Sequence, residues 1–217
     1  MQSRRQSRVL SVEETSRKKY DSDDSKRRLL RAALNTFSKV GYDAATTRII
    51  AKQAGVNESL IHRYFKNKQG LFFSVLREFH RTVSSSLPYE EGKTVKEELT
   101  KFVQFRRNFS RENKKFLRLL VTQAILDPKV RAEMGQLSRN GVPGLVERLE
   151  KLRSKGQLAA KVDLEHLSLL LTSITFSAAM FTEVISTLDS HVADSVVDLG
   201  VGLLTNGLES QEAIGRK

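Results

Sequence analysis

Few side chains in this sequence could carry out catalysis or bind a metal. There is no cysteine, which excludes disulfides, a thiol nucleophile and cysteine-ligated zinc or iron–sulfur sites. Gly200 and Gly202 lack the third glycine of a nucleotide-binding loop, because Thr205 occupies its position. The four histidines show no metal-binding spacing with one another: His62, His80, His166 and His191. These residues predict a binding protein rather than an enzyme, and we expect neither a metal nor a cofactor.

Charge is distributed unevenly along the 217 residues. Lys and Arg number 37 against 25 Asp and Glu, which gives a net charge of +12. Residues 1–85 hold 18 of the basic and 8 of the acidic residues, so their net charge is +10. A polyanion such as nucleic acid is the expected partner of that segment. Residues 162–215 contain eight acids and no Lys or Arg, a composition unsuited to contact phosphates.

Helical spacing dominates the sequence, and only three prolines interrupt it. An all-α fold is therefore expected. Apolar residues recur every three or four positions from residue 26 to Val40, which predicts an amphipathic helix that Gly41 ends. A serine run before Pro88 predicts the end of a later helix that starts at Gln69.

Capping residues predict two short helices between these longer ones. Thr46 and Thr47 supply hydroxyls for a helix that ends at Ala54, and Gly55 provides a tight turn. Asn57 can cap the next helix, which continues to about residue 65. Two short helices joined by a glycine-containing turn and braced by a preceding helix form a helix-turn-helix.

Three regions follow from these patterns. Residues 1–25 form a basic arm that we expect to be disordered. Residues 26–85 form a helix-turn-helix DNA-binding domain with its linking helix, and residues 86–217 form a larger helical domain. The arm lacks the apolar stretch of a signal peptide, and the apolar run Leu167–Thr182, at 16 residues, is shorter than a membrane span. We therefore expect a cytoplasmic protein, associated with the bacterial nucleoid, and no membrane partner.

Glycine, alanine, aromatic and lysine positions between Gly41 and Leu71 agree in register with a known family. The matching stretches are TTRIIAKQAGV at 46–56, LIHRYF at 60–65 and KNK at 66–68. With these features, residues 26–79 resemble the DNA-binding domain of the tetracycline-repressor (TetR) family. The resemblance implies that the third helix enters the major groove of DNA. Departures at Asn57, Leu60 and His62 from the family's commoner Ser, Thr and Tyr leave the operator sequence open.

The resemblance also implies particular DNA contacts. Base-reading positions correspond to Arg48, Glu58, Ser59 and Leu60. Arg48 could pair with guanine O6 and N7, Glu58 could accept from cytosine N4, and Leu60 could touch a thymine methyl. Alternatively, Glu58 occupies the first helical turn only because the helix dipole favours it. Five residues match phosphate-contacting positions, although Tyr64 could instead be a packing residue: Thr46, Thr47, His62, Tyr64 and Lys68.

The basic arm has two interpretations. Its cations could lie in a minor groove beside the operator, or the arm could be a solvated tail. The residues concerned are Arg4, Arg5, Arg8, Arg17, Lys18 and Lys19.

For the larger domain, the resemblance implies ligand binding and dimerisation. Its aromatic and isolated polar residues could line a cavity for a small, mostly apolar effector, although each could equally belong to an ordinary core. The candidates are Phe102, Phe105, Phe109, Phe116, Gln123, Thr172, Phe176 and Met180. Two apolar helices, at 164–188 and 192–208, contain small residues that suit a four-helix interface between two subunits; burial within one subunit is the alternative. The small residues are Ala178, Ala179, Gly200 and Gly202.

Together these features predict a ligand-responsive transcriptional regulator. The family usually supplies repressors, so we expect a homodimer on a palindromic double-stranded operator, released by the effector. The alternative is a non-specific DNA-binding or membrane-surface architectural protein that uses the basic arm.

Overall fold

The computed structural model describes residues 2–85, 87–139, 141–185 and 187–208. Within these ranges all regular structure is helical, which confirms the predicted all-α fold. A π-helical turn, Met180–Val184, follows the ninth of ten α-helices. The helices are α1 (Gln2–Ala44), α2 (Thr47–Ala54), α3 (Ser59–Phe65), α4 (Lys68–Ser84), α5 (Val95–Glu112), α6 (Lys114–Leu126), α7 (Pro128–Ser138), α8 (Pro143–Ser154), α9 (Leu164–Ala179) and α10 (Ser190–Leu208).

The chain divides into two compact units, residues 1–76 and residues 77–217, and the division falls inside α4. The first unit contains α1, α2, α3 and the start of α4. Phe37 of α1 meets Phe72 of α4 edge-on, with ring centroids 5.3 Å apart. Ile50 of α2 and Ile61 of α3 are fully buried. The two short helices are therefore fixed by one apolar core that α1 and α4 complete.

Helix α1 starts earlier than the sequence predicts. The backbone is helical from Gln2 onward, where a disordered arm is expected from composition. No glycine or proline occurs between Gln2 and Val40, and the segment is rich in Arg and Lys, so no residue in it interrupts a helix. Gly41 has a φ of 83° and breaks the helical conformation at the predicted position.

The second unit is built around α5, which packs against α8, α9 and α10. Its core is a single cluster of buried apolar side chains from these four helices and the connections between them. Leu99 and Phe102 of α5, Leu145 and Leu149 of α8 and Leu171 of α9 are among its most deeply buried members.

The C-terminal helices differ from the prediction in their bounds. The predicted helix to residue 188 is α9 followed by the π-helical turn, and α10 begins at Ser190. Arg118 of α6 donates from Nε to the carbonyl oxygen of Val184 at 3.0 Å and so holds the end of the turn. Leu164–Val184, at 21 residues, is also long and apolar enough to cross a membrane, which corrects the shorter run inferred from sequence. One face of this stretch packs into the second unit's core.

A buried polar cluster anchors the connection between α4 and α5. The carboxylate of Glu98 is fully buried and accepts hydrogen bonds from the Tyr89 hydroxyl at 2.9 Å and the Gly92 amide at 2.6 Å. Arg148 of α8 lies 3.4 Å from the same carboxylate. It also donates to the carbonyl oxygens of Leu87 and Tyr89, at 2.9 Å each. Burial and the Glu98 charge raise the pKa of the Tyr89 phenol, so this hydroxyl stays a donor. The cluster fixes the 87–92 connection on α5 and α8.

Candidate functional site

Helix α2 has well-defined ends. Thr46 is its N-cap, and the Thr46 hydroxyl accepts a hydrogen bond from the Ile49 amide at 3.2 Å. At the other end, Gly55 has a φ of 64°, and its amide bonds back to Ala51 and Lys52 carbonyls. A left-handed conformation at this position favours glycine over any residue with a side chain. The predicted cap and turn are both present.

Helix α3 follows after a four-residue turn, residues 55–58. The Asn57 side chain accepts a hydrogen bond from the Ser59 amide at 2.8 Å, so it provides a partner for a backbone amide of the first helical turn, as predicted. The helix itself begins at Ser59. Ile61 and Phe65 are buried, which directs one face of α3 into the core. The opposite face presents Ser59, His62 and Arg63 to solvent.

The four predicted base-reading residues have different surroundings. Arg48 and Ser59 are exposed, and the Arg48 guanidinium has no hydrogen-bond or ion-pair partner among the described residues. Leu60 is half-buried. The Glu58 carboxylate accepts a hydrogen bond from the Thr47 hydroxyl at 2.6 Å, a contact that joins the start of α2 to the start of α3. The sequence suggested either base contact or the helix dipole for Glu58, and this third role was not foreseen.

The predicted phosphate contacts are partly committed to intramolecular bonds. The Lys68 ammonium donates to the carbonyl oxygens of Tyr42 at 3.0 Å and Asp43 at 3.3 Å, and it lies 4.4 Å from the Tyr42 ring centroid. The Tyr64 hydroxyl accepts from Ser22 at 3.2 Å. Thr46 and His62 are exposed. The ammonium of Lys68 has three hydrogens, so one remains for a phosphate.

The arm residues are the remaining predicted DNA contacts. Their backbone belongs to α1, and their side chains lie outside the described part of the structure. They are Arg4, Arg5, Arg8, Arg17, Lys18 and Lys19.

The second unit brings together some of the predicted cavity residues. The Phe109 and Phe116 rings each lie 4.8 Å from Phe79, a half-buried residue at the second-unit end of α4. Phe105 lies 6.0 Å from Phe109. Phe102 belongs to the main core. The remaining predicted residues are half-buried, and no ring contact joins them to this aromatic cluster: Gln123, Thr172, Phe176 and Met180.

A groove of about 410 Å³ lies beside the cluster, along the outer face of α5. Phe105 and Phe109 are the only predicted cavity residues among those that line it.

Arg106, one turn from Phe109, was missed by the sequence interpretation. It is half-buried, and its Nε is shielded from solvent with no hydrogen-bond partner. Burial lowers its pKa to about 10, so the guanidinium stays charged at neutral pH. His80 lies nearby: burial lowers the pKa of its imidazole, and the charge of Arg106 lowers it further. The sequence contains a signal for it, because Arg106 lies four residues after Phe102 and three before Phe109, where an apolar residue is expected.

Exposed apolar residues form a stripe along α10. Val192, Val196, Leu199 and Leu203 follow a spacing of four, three and four, and all are exposed. The opposite face of α10 is buried through Ala193, Val197, Val201, Thr205 and Leu208. A Cβ added at Gly200 or Gly202 would meet no atom within 4 Å, so packing within the described chain does not explain these glycines.

Comparison with known proteins identifies the helix-turn-helix. Residues 29–75 match the family described as bacterial regulatory proteins, tetR family. YvkB of Bacillus subtilis, an uncharacterized HTH-type transcriptional regulator, is 42% identical over 33% of this chain and 38% of its own length. YdgC of the same organism, another uncharacterized HTH-type transcriptional regulator, is 28% identical over 76% of this chain and 91% of its own.

A solved structure supports the fold over most of the chain. GusR of Salmonella enterica has a TM-score of 0.60 and 20% identity, and it covers 84% of this chain and 94% of its own. The curated relatives are regulators rather than enzymes, in agreement with the expectation from the residue inventory. Residues 29–75 therefore form a DNA-binding domain of the tetR type, and the chain as a whole is similar to HTH-type transcriptional regulators.

Proposed function

We propose that the chain is a ligand-responsive repressor, which binds a palindromic operator as a homodimer in the cytoplasm and is released by a small effector. The observation that carries the proposal is the geometry of α3. Its buried residues anchor it in the first unit's core, while Ser59, His62 and Arg63 face solvent. A short helix displayed in this way can enter the major groove, which is about 12 Å wide.

Base reading is assigned to residues at the start of α2 and α3. Arg48 has a free guanidinium, which can donate two hydrogen bonds to guanine. Glu58 keeps one carboxylate oxygen beyond the one that Thr47 binds, and that oxygen can accept from cytosine N4. Leu60 can contact a thymine methyl, and Ser59 can bond to either kind of base edge.

Phosphate contacts position the reading helix. Thr46 and His62 are exposed for this role, and Lys68 retains one donor. We assign Thr47 and Tyr64 the same role, with their present bonds to Glu58 and Ser22 holding each side chain in place. Such contacts contribute affinity that falls with salt, and the arm cations, Arg4 to Lys19, add to it.

Replacing Arg48 with alanine is expected to weaken operator binding by about 1–3 kcal/mol and to relax base preference at one position of each half-site. Lys52→Ala is the matched control, because Lys52 is an exposed cation on the same helix outside the base-reading set. Competition binding with single-base operator variants measures both the operator affinity and the base preference. Unchanged preference in Arg48→Ala would remove this residue from the base-reading set.

The α10 stripe supports dimerisation. A row of exposed aliphatic side chains is costly in water, and a second copy of the same helix can cover it with the self-complementary contacts of a two-fold dimer. The same symmetry presents one reading helix to each half of a palindrome, whose half-site centres lie about 34–36 Å, or one turn of DNA, apart.

The effector response is assigned to the second unit. Helix α4 carries Phe79 and His80 in that unit, and its first half belongs to the DNA-binding unit. A ligand that favours one position of α4 can therefore change the spacing of the reading heads. Coupling of about 1–3 kcal/mol changes operator affinity roughly 5- to 150-fold.

Selection of bound duplexes from a random pool tests the DNA-binding part of the proposal. The expected product is an inverted repeat whose half-site centres are about one helical turn apart. A pool that gains no common sequence after several rounds would instead support non-specific, architectural binding.

A further inference from the structure

Arg106 occupies a position on α5 where an apolar residue is expected. Leu99, Phe102, Arg106 and Phe109 follow a spacing of three, four and three, which places them on one face of the helix. Leu99 and Phe102 of this series are completely buried. The helix therefore directs a permanent positive charge toward the interior of the second unit.

Neighbouring arginines show what is missing at Arg106. Arg107 lies 3.1 Å from Asp194 and 2.7 Å from Asp198, and Arg111 lies 2.9 Å from Asp194. Arg106, on the same helix, has neither a hydrogen bond nor an ion pair among the described residues. Acids on α10 thus pair with Arg107 and Arg111 of α5, whereas Arg106 has no counter-charge among the described residues.

A half-buried cation whose shielded Nε has no partner destabilises the folded state, and an anion bound beside it removes that penalty. His80 cannot supply the anion, because an imidazole is either neutral or positively charged, and the charge of Arg106 favours its neutral form. One guanidinium matches the single charge and the two oxygens of a carboxylate, whereas a doubly charged phosphate would be only half neutralised.

Apolar surface surrounds the charge. Phe109 is on the same face of α5 and touches Phe79, whose ring also touches Phe116. Phe79 is adjacent in sequence to His80, whose pKa is lowered by the nearby charge of Arg106. The cation and the three rings therefore lie in one region of the second unit.

We propose that Arg106 binds the carboxylate of an amphipathic effector, whose apolar body packs against Phe79, Phe109 and Phe116. This inference rests on the proposed effector response and specifies its chemistry: the ligand is an organic carboxylate rather than a neutral apolar compound.

The first test uses the ligand-free protein, refolded from denaturant to remove any bound molecule. Arg106→Met is expected to raise the thermal midpoint, because it replaces an unpaired charge with an apolar side chain. Arg107→Met is the matched control and should lower the midpoint, since it leaves Asp194 and Asp198 without their partner. A midpoint lowered equally by both variants would overturn the proposal, because Arg106 would then have a structural partner.

The second test is calorimetric titration of hexanoate, decanoate and 2-naphthoate, each against its neutral primary amide. At least one carboxylate should bind about 10- to 100-fold more tightly than its amide, the range of a charge-assisted pair. Arg106→Met should abolish this preference, and Arg106→Lys should restore part of it. Equal affinity for acid and amide, a preference retained in Arg106→Met, or no binding of any carboxylate would overturn the proposal.

Operator affinity, measured with the same ligands, separates the two levels of inference. Arg106-dependent carboxylate binding without any change in operator affinity supports the site and contradicts the effector response. Release from the operator by an amide, with the same potency in wild type and Arg106→Met, supports the effector response and contradicts the site.

Discussion

Replacing Leu199 and Leu203 together with glutamate is expected to produce a monomer whose affinity for the palindromic operator is about 1,000-fold lower. In the single chain these side chains are 64% and 66% exposed, on the stripe assigned to the second subunit. Glutamates there would be buried against their own symmetry copies, and residues 162–215 contain no Lys or Arg to neutralise them. A monomer contacts only one half-site, so most of the specific affinity is lost.

Sedimentation velocity measures the mass of this double variant, and fluorescence polarisation measures its operator affinity. Leu126→Glu is the matched control, because Leu126 is 70% exposed on α6, outside the stripe. It should remain dimeric and bind the operator like wild type. A double variant that sediments as a dimer would contradict the assigned interface.

Removal of Arg148 has the largest expected effect on stability. Arg148→Ala leaves the fully buried Glu98 carboxylate without its cation and also removes donors from the Leu87 and Tyr89 carbonyl oxygens. We expect a loss of about 3–5 kcal/mol in the free energy of unfolding, measured by urea denaturation.

The control for this effect is Lys151→Ala, on the same helix as Arg148. It removes exposed ion pairs with Glu91 and Glu147 and should leave the urea midpoint in place. The double variant Glu98→Leu/Arg148→Met should be more stable than Arg148→Ala alone, because it leaves no unpaired charge. A double variant less stable than Arg148→Ala would show that lost packing, and not the stranded carboxylate, causes the effect.

The helix-turn-helix was predictable because its signals are local. The Thr46 cap, the left-handed Gly55 and the Asn57 side-chain bond each involve atoms within five residues along the chain. Capping and glycine conformation depend on such short distances, so the sequence alone indicates them. The bond between Thr47 and Glu58 spans eleven residues and depends on how α2 crosses α3, so it required coordinates.

The second unit was less predictable because its decisive contacts are distant in sequence. Arg148 reaches Glu98 across 50 residues, and Arg107 reaches Asp198 across 91. Arg106 was missed by the sequence interpretation, although it shares the spacing of Phe102 and Phe109, and only the coordinates show that it lacks a counter-charge while its neighbours pair with α10. Spacing likewise identified Phe109 and Phe116, whereas their contact with Phe79 depends on how α4, α5 and α6 pack.

Sequence-specific binding by a dimer is tested most directly by one ratio of dissociation constants. The selected palindromic duplex and a scrambled duplex of the same composition are titrated with the full chain at one fixed salt concentration. We expect the palindrome to bind at least about 1,000-fold more tightly, as specific regulators do. Equal affinities for the two duplexes would contradict sequence-specific reading by α3 and reduce the +10 segment to a non-specific polyanion-binding surface.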